Sequence, residues 1–183
     1  ISPRPYEAAP VRIVDLDDET IRRQGQWPWP RTDTARLALA LGEAGASAIA
    51  FDIVFSEEDR TSPSVLAKRF EKSDPEAARV IASLPDNDDQ FATVLGAVPS
   101  VMGFFLTPGK TIDQAIPKAG FAVSGSTPDA APHYPNAVLP LPGLLEPAAG
   151  LGSLSIVPDS DSVIRRAPLI AIQGDQMLPA LSL

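Results

Sequence analysis

Ser47-Ala48-Ile49-Ala50-Phe51-Asp52-Ile53-Val54-Phe55 is a nearly continuous apolar run. A run of this length, rich in β-branched and aromatic residues, is the pattern of a strand buried on both faces of a parallel sheet. What precedes it supports that reading. Thr32 or Asp33 can cap a helix over roughly 33–44, with Leu37, Leu41 and Ala44 on one face and Gly45 placed as its stop. Further upstream, Val11-Arg12-Ile13-Val14-Asp15-Leu16 is a short apolar run ending in acids, which predicts a strand. Strand, helix and strand in this order make a βαβ unit, with parallel strands and a right-handed crossover.

Working outward, residues 56–88 are the least regular part of the chain. Glu57, Glu58, Asp59, Arg60 and the Ser-Pro pairs read as an exposed, solvated loop. Two short helical pieces are predicted near 63–71 and 75–83. Asp88 and Asp89 then lead a helix through Phe91, Val94, Leu95 and Val98, with acids at its positive end. Ser100–Leu106 is a third strand. Residues 107–143 are rich in Pro, Gly and Ser, with one short edge strand possible over Gly120–Val123. Gly152–Val157 and Ala167–Ile172 read as strands joined into a hairpin around the polar turn Pro158–Ser162, and the turn Gly174-Asp175 follows. The expected fold class is α/β: a three-layer αβα-like domain with a largely parallel central sheet, a late antiparallel hairpin and long Pro/Gly-rich loops. Residues 1–183 read as one domain cut from a longer chain. Residues 1–10 form a Pro-rich lead, and 178–183 read as the first turn of an unfinished helix.

Composition narrows the function. The chain has 183 residues, enough for one sizeable core, and a net charge of -8. Lys and Arg are not clustered, which argues against nucleic acid and against an anionic membrane surface as direct partners. There is no cysteine, so a thiol nucleophile, a disulfide framework and a structural zinc cluster are excluded. The single histidine, His133, lies in a Pro-rich loop. No apolar run approaches the ~20 residues needed to span a bilayer, and no signal peptide is visible. No cofactor motif is present.

Between the first strand and the helix stands Gly25-Gln26-Trp27-Pro28-Trp29-Pro30-Arg31, which holds both tryptophans of the chain. Two Trp-Pro steps make a stiff, extended, aromatic connection. It serves either as a rigid plug over one end of the sheet or as the wall of a ligand pocket. Asp15, Asp17 and Asp18 follow the first strand, and Asp52 lies in the second. In an open parallel sheet such positions line the binding crevice. Converging carboxylates could hold a hard divalent cation, or be satisfied by backbone N–H groups, Thr20, Arg22, Arg23 and Arg31. A buried Asp52 needs a partner, for which Arg31 is the candidate, so Asp52→Asn is expected to destabilise the domain. Late in the chain, Asp159-Ser160-Asp161-Ser162 precedes Arg165-Arg166. The acids alternate as in a calcium loop, but the Gly and closing Glu of an EF-hand are missing. Arg165 could bind an anion or pair with Asp159 or Asp161.

Two resemblances follow from these residues. Val11–Thr20 resembles the first motif of haloacid-dehalogenase-type phosphatases, with Asp15 and Asp17 in the Asp-x-Asp positions and Glu19 where Thr is expected. That implies a metal-dependent phosphatase using Asp15 and Asp17. The broader resemblance is to CHASE type two, a family of bacterial extracellular sensor domains. It rests on Val14-Asp15-Leu16-Asp17, on Gly25–Arg31 and on Gly45–Phe55. Asp59-Arg60-Thr61-Ser62-Pro63, Asp89-Gln90-Phe91 and the Val101 strand also match. So do Gly150-Leu151-Gly152, Pro158–Asp161, Arg165-Arg166 and Leu178–Leu181. Ser162 departs from it, standing where the family usually has glycine.

The resemblance implies a non-catalytic sensory module in the periplasm, the extracytoplasmic part of a bacterial inner-membrane receptor. It implies flanking membrane helices, a homodimer, and a cytoplasmic output such as a class III cyclase, a histidine kinase or a serine/threonine kinase. It carries over no ligand-binding residue. From the residues themselves, the expected ligand pocket involves Trp27, Trp29, Arg31, Asp15, Asp17, Asp52 and Arg165. The stimulus is an unidentified small molecule or protein. A dimerisation or docking module without a small-molecule ligand is the alternative.

Overall fold

The structure, a computed structural model, describes residues 10–110, 113–122, 124, 131–156 and 160–183. In chain order the first elements are α1 (Asp18–Gln24), α2 (Arg31–Glu43) and β1 (Ile49–Phe51). A helical stretch follows: α3 (Pro63–Phe70), α4 (Pro75–Ala82) and α5 (Asn87–Ala97). The remainder is β2 (Ser100–Thr107), β3 (Asn136–Val138), α6 (Pro142–Leu145), β4 (Gly150–Ser153), β5 (Ile170–Gln173) and β6 (Gln176–Pro179).

The long strand β2 is the spine of the sheet. β1 runs parallel to its first half, Ile49 opposite Ser100 and Phe51 opposite Met102. β4 runs parallel to residues 101–104. β3 pairs antiparallel with its last residues, Phe105 opposite Val138. β5 and β6 form a separate antiparallel hairpin, tied to β4 where the Leu181 N–H donates to Ser153 O at 2.9 Å. This is the expected α/β class, with a mostly parallel sheet and a late hairpin.

Close backbone approaches explain two glycines. A Cβ on Gly103 would lie 2.6 Å from Phe51 O, and one on Gly152 would lie 2.5 Å from Leu181 Cα. Glycine is the residue that lets β1 and the segment after β6 close against the sheet here.

The core lies between the sheet and the helices. Phe51, Phe55 and Phe91 form an edge-to-face triangle with ring centroids 5.3–5.9 Å apart. Met102, Phe104, Leu95 and Leu144 fill the space around it. α2 offers a small-residue face: Ala35 and Ala38 are buried, and a Cβ on Gly42 would meet Val98 Cγ2 at 3.0 Å. Small side chains let α2 approach α5 closely, so a high helical periodicity is not needed there.

Several expectations are corrected. Val11–Leu16 is not a strand. It is open to solvent, Val11 72 % and Ile13 91 % exposed, and among the described residues no strand offers it a ladder. The parallel pair is therefore β1 with β2, linked through α3, α4 and α5 rather than through α2. α1, which composition did not announce, starts after Asp17. Its side chain accepts from Thr20 N at 2.8 Å and Thr20 Oγ1 at 2.6 Å, a side-chain N-cap. The late hairpin joins β5 to β6 around Gly174-Asp175, and β4 instead enters the parallel sheet. Residues 176–179 are strand, not the start of a helix. The lead over residues 1–9, Val123, Val157 and Asp159 lie outside the described residues.

Candidate functional site

The chain entering α2 is held from afar. α2 has Pro30 at its N-cap, which offers no side-chain acceptor. The acceptor comes from the loop after β1: Asp59 Oδ2 takes the Arg31 N–H at 2.7 Å. The same carboxylate accepts from Asn87 Nδ2 at 2.9 Å, and from Thr61 N and Oγ1, both at 2.8 Å. Asp59 is only 4 % exposed. Its neighbour Asp88 accepts from Asp59 N at 2.9 Å and from Arg31 Nε at 3.2 Å. Arg31 also donates to Glu57 O at 3.0 Å, and its guanidinium carbon sits 4.4 Å from the Phe55 ring centroid. One network thus ties the start of α2, the 57–62 loop and the start of α5.

Burial and hydrogen bonding oppose each other at these acids. Burial pushes the Asp59 carboxyl up, but the donors Arg31 N, Thr61 and Asn87 outweigh it and hold the group below the usual carboxylate range. Asp86, the N-cap of α5, is lowered in the same way, burial being outweighed by Ser64, Ser62 and the backbone of Asp88 and Asp89. Asp88 goes the other way. Its burial, with Asp86 and Asp59 nearby, outweighs the Asp59 N–H and Arg31 and raises it.

The signs give a pH prediction. A depressed folded pKa contributes stability above the unfolded value of about 3.9, lost as pH falls through the folded value. A raised one contributes the reverse, so Asp88 partly opposes Asp59 and Asp86. The wild type is expected to lose stability as pH falls below about 4, and Asp86→Asn, which keeps a capping acceptor without the charge, to lose less. Urea unfolding at neutral and acid pH checks this. An unchanged acid loss in the variant would remove Asp86 from the account.

Against this network lies a cleft of about 260 Å³. Trp27, Pro28, Trp29 and Arg31 line one part, and residues 53–60 the other. It opens just beyond the carboxyl end of β1, where open α/β sheets place their crevices. The two indoles meet edge to face, with centroids 5.7 Å apart and planes at 68°. Trp27-Pro28 is a cis peptide. Trp29 Nε1 donates to Gly25 O at 2.8 Å, which folds the Gly25–Arg31 segment on itself. Both indoles are half-buried, so this segment is a cleft wall with part of its surface open rather than a sealed plug.

The structure brings Trp27, Trp29 and Arg31 together and leaves the other expected site residues outside. Asp52 is exposed and does not pair with Arg31, whose carboxylate partner is Asp88. Asp15 is exposed on the open segment. Asp17 is committed to capping α1, and its hydrogen bonds from the Thr20 hydroxyl and N–H hold its carboxyl below the usual range. Arg165 pairs with Asp161 through contacts of 2.9 and 2.8 Å at the surface. Ser162 has φ +63°, the left-handed geometry that glycine adopts freely. The reading of Glu57, Glu58, Asp59, Arg60 and the Ser-Pro pair as an exposed loop is corrected at Asp59 and Ser62, which are buried; Glu57, Glu58 and Arg60 are exposed. The signal was present in Asp59-Arg60-Thr61, an Asx-turn pattern that fixes a loop on itself.

No group of three or more His, Cys, Asp or Glu among the described residues is arranged to hold a metal ion. No helix among them is long and apolar enough to cross a membrane. Fold and cleft together describe an α/β module with an aromatic recess at the strand ends. The family model of the CHASE2 domain matches residues 2–183, and the chain belongs to that family. CHASE2 domains are extracellular sensory modules. No curated protein and no solved structure is significantly similar to the chain.

Proposed function

We propose that this chain is the non-catalytic extracytoplasmic sensor of a bacterial transmembrane receptor, with the Trp27–Trp29 cleft as its stimulus site. In this reading the parent protein is a homodimer with flanking membrane helices and a cytoplasmic cyclase or protein kinase output. The supporting observation is the cleft's construction on the Arg31–Asp59–Asp88 network. A ligand against the Trp-Pro wall would bear on the starts of α2 and α5 together. It would shift the balance between two arrangements by as much as its affinity differs between them.

Both tryptophans of the chain stand in this cleft, so selectively excited tryptophan emission reports on it. The test is a thermal-shift screen of divalent cations, amino acids, polyamines, sugars, organic acids and nucleotides. At a hundredfold excess over Kd a ligand adds about 2.7 kcal/mol. A hit that also changes tryptophan emission and is lost in Trp27→Ala supports the reading. A hit indifferent to Trp27→Ala places the site elsewhere. No hit across the screen favours a docking or dimerisation module, for which Phe70, Val80 and Leu84, on and just after the α3–α4 hairpin, are among the exposed apolar residues.

A further inference from the structure

The cleft's chemistry selects among ligand classes, an argument that rests on reading the cleft as the stimulus site. An edge-to-face pair leaves indole faces uncovered, and both rings are half-exposed along the recess. Trp29 has already given its N–H to Gly25 O. What that ring can offer a ligand is π surface, which attracts cations and not anions. Arg31, the cation an anionic ligand in this cleft would need, is 7 % exposed. Its charge is matched by Asp88 at 3.2 Å, and it faces Phe55.

The remaining charges at the cleft are Glu57, Glu58 and Arg60. Glu58 lies 3.6 Å from Lys68. Arg60 reaches Pro28 O at 3.5 Å, a long contact at the edge of hydrogen bonding. Glu57 is exposed, and among the described residues its carboxylate has no ion-pair partner. The lining therefore holds three carboxylates, Glu57, Glu58 and Asp59, against two arginines. The chain as a whole carries -8, which adds a field favourable to cations.

We propose that the Trp27–Trp29 cleft takes a small organic ammonium ion, its charged head against the indole surface and Glu57 as the counter-charge. An alkylated ammonium suits it better than a bare metal ion. Its methyl groups cover indole area while its charge acts on the ring quadrupole, and the lining supplies no ring of oxygen ligands.

The probes are choline, its neutral isostere 3,3-dimethylbutan-1-ol, and acetate, each titrated into the purified chain at fixed ionic strength and followed by tryptophan emission. Choline is expected to give a saturable change. The isostere, in which carbon replaces the charged nitrogen, should bind at least tenfold more weakly, because shape is kept and charge removed. Glu57→Gln, a surface change that leaves the Asp59 network intact, should weaken choline about threefold to tenfold and leave the isostere unchanged. Arg60→Gln should strengthen choline, since it removes a like charge from the lining. Equal binding of choline and isostere or tighter binding of acetate overturns the ammonium class while leaving the cleft as a ligand site, and no effect of Glu57→Gln overturns Glu57 as the counter-charge. An emission unmoved by choline overturns the class as well. The screen described for the sensor reading then decides separately whether the cleft binds anything.

Discussion

Asp59→Ala is expected to lower the unfolding free energy by about 3–5 kcal/mol, the range for removing one partner from a buried charged network. Asp59 accepts four hydrogen bonds, from Arg31 N, Asn87 Nδ2, Thr61 N and Thr61 Oγ1. Alanine leaves the Arg31 and Asn87 donors facing a void, each costing roughly 1–3 kcal/mol if nothing replaces the acceptor. It also removes the distal cap of α2, which Pro30 cannot replace. For a chain of this length the melting temperature should fall by about 6–20 °C. Asp59→Asn should rescue part of this loss: its amide oxygen can take the place of Oδ2 toward Arg31 N and Asn87 Nδ2, but its nitrogen then faces the Thr61 N–H, donor against donor. The contrasting variant is Asp52→Asn. Its exposed side chain should change stability by less than about 0.5 kcal/mol. Equilibrium urea unfolding of the three variants decides the matter. A loss at Asp52 equal to that at Asp59 would reverse the assignment, and a loss below about 1 kcal/mol at Asp59 would mean that the network relaxes or admits water.

That contrast also shows what was legible in the sequence. Elements with a local signal were readable close to their bounds: α5 behind Asp88 and Asp89, the long strand β2, and the two short helices that begin with proline. Gly45, with φ +95°, stops α2 as its position foretold. The Trp-Pro-Arg segment was identifiable because two stiff aromatic steps in seven residues are hard to explain as a loose linker. What failed was pairing over distance. Asp59 caps a helix 28 residues away, and nothing local to Arg31 announces that partner. Asp52 seemed to need a counter-ion because its neighbours in sequence are apolar, yet β1 ends at Phe51 and the chain turns Asp52 outward. Val11–Leu16 has a strand's composition, but strand formation also requires an edge to pair with. For β4 the local pattern indicated a strand, while its partner is β2, far back in the chain and not the following segment.

The second large effect is expected at Phe55, where core and cleft meet. Phe55 is 1 % exposed. It packs edge to face on Phe51 and Phe91 at 5.9 and 5.3 Å, and its backbone carbonyl accepts from Leu141 N at 2.8 Å. Phe55→Ala should cost about 3–5 kcal/mol, the sum of lost transfer free energy and the cavity left in a packed core. Phe55→Leu retains most of the volume and should cost less, about 1–1.5 kcal/mol, but it removes the ring beneath the Arg31 guanidinium. A double-mutant cycle of Phe55→Leu with Arg31→Gln isolates that contact. A coupling of about 0.5–2 kcal/mol is expected for a desolvated cation–π pair. If the two substitutions are additive within about 0.3 kcal/mol, Phe55 stabilises the domain through the aromatic triangle alone, and Arg31 is held by Asp88 and Glu57 O. If they couple, the orientation of Arg31 depends on a core ring. Displacement of the Trp-Pro wall that begins α2 would then be transmitted to Phe51 and Phe91 through Phe55. That route from cleft to core is the one a sensor with its stimulus site at the strand ends requires.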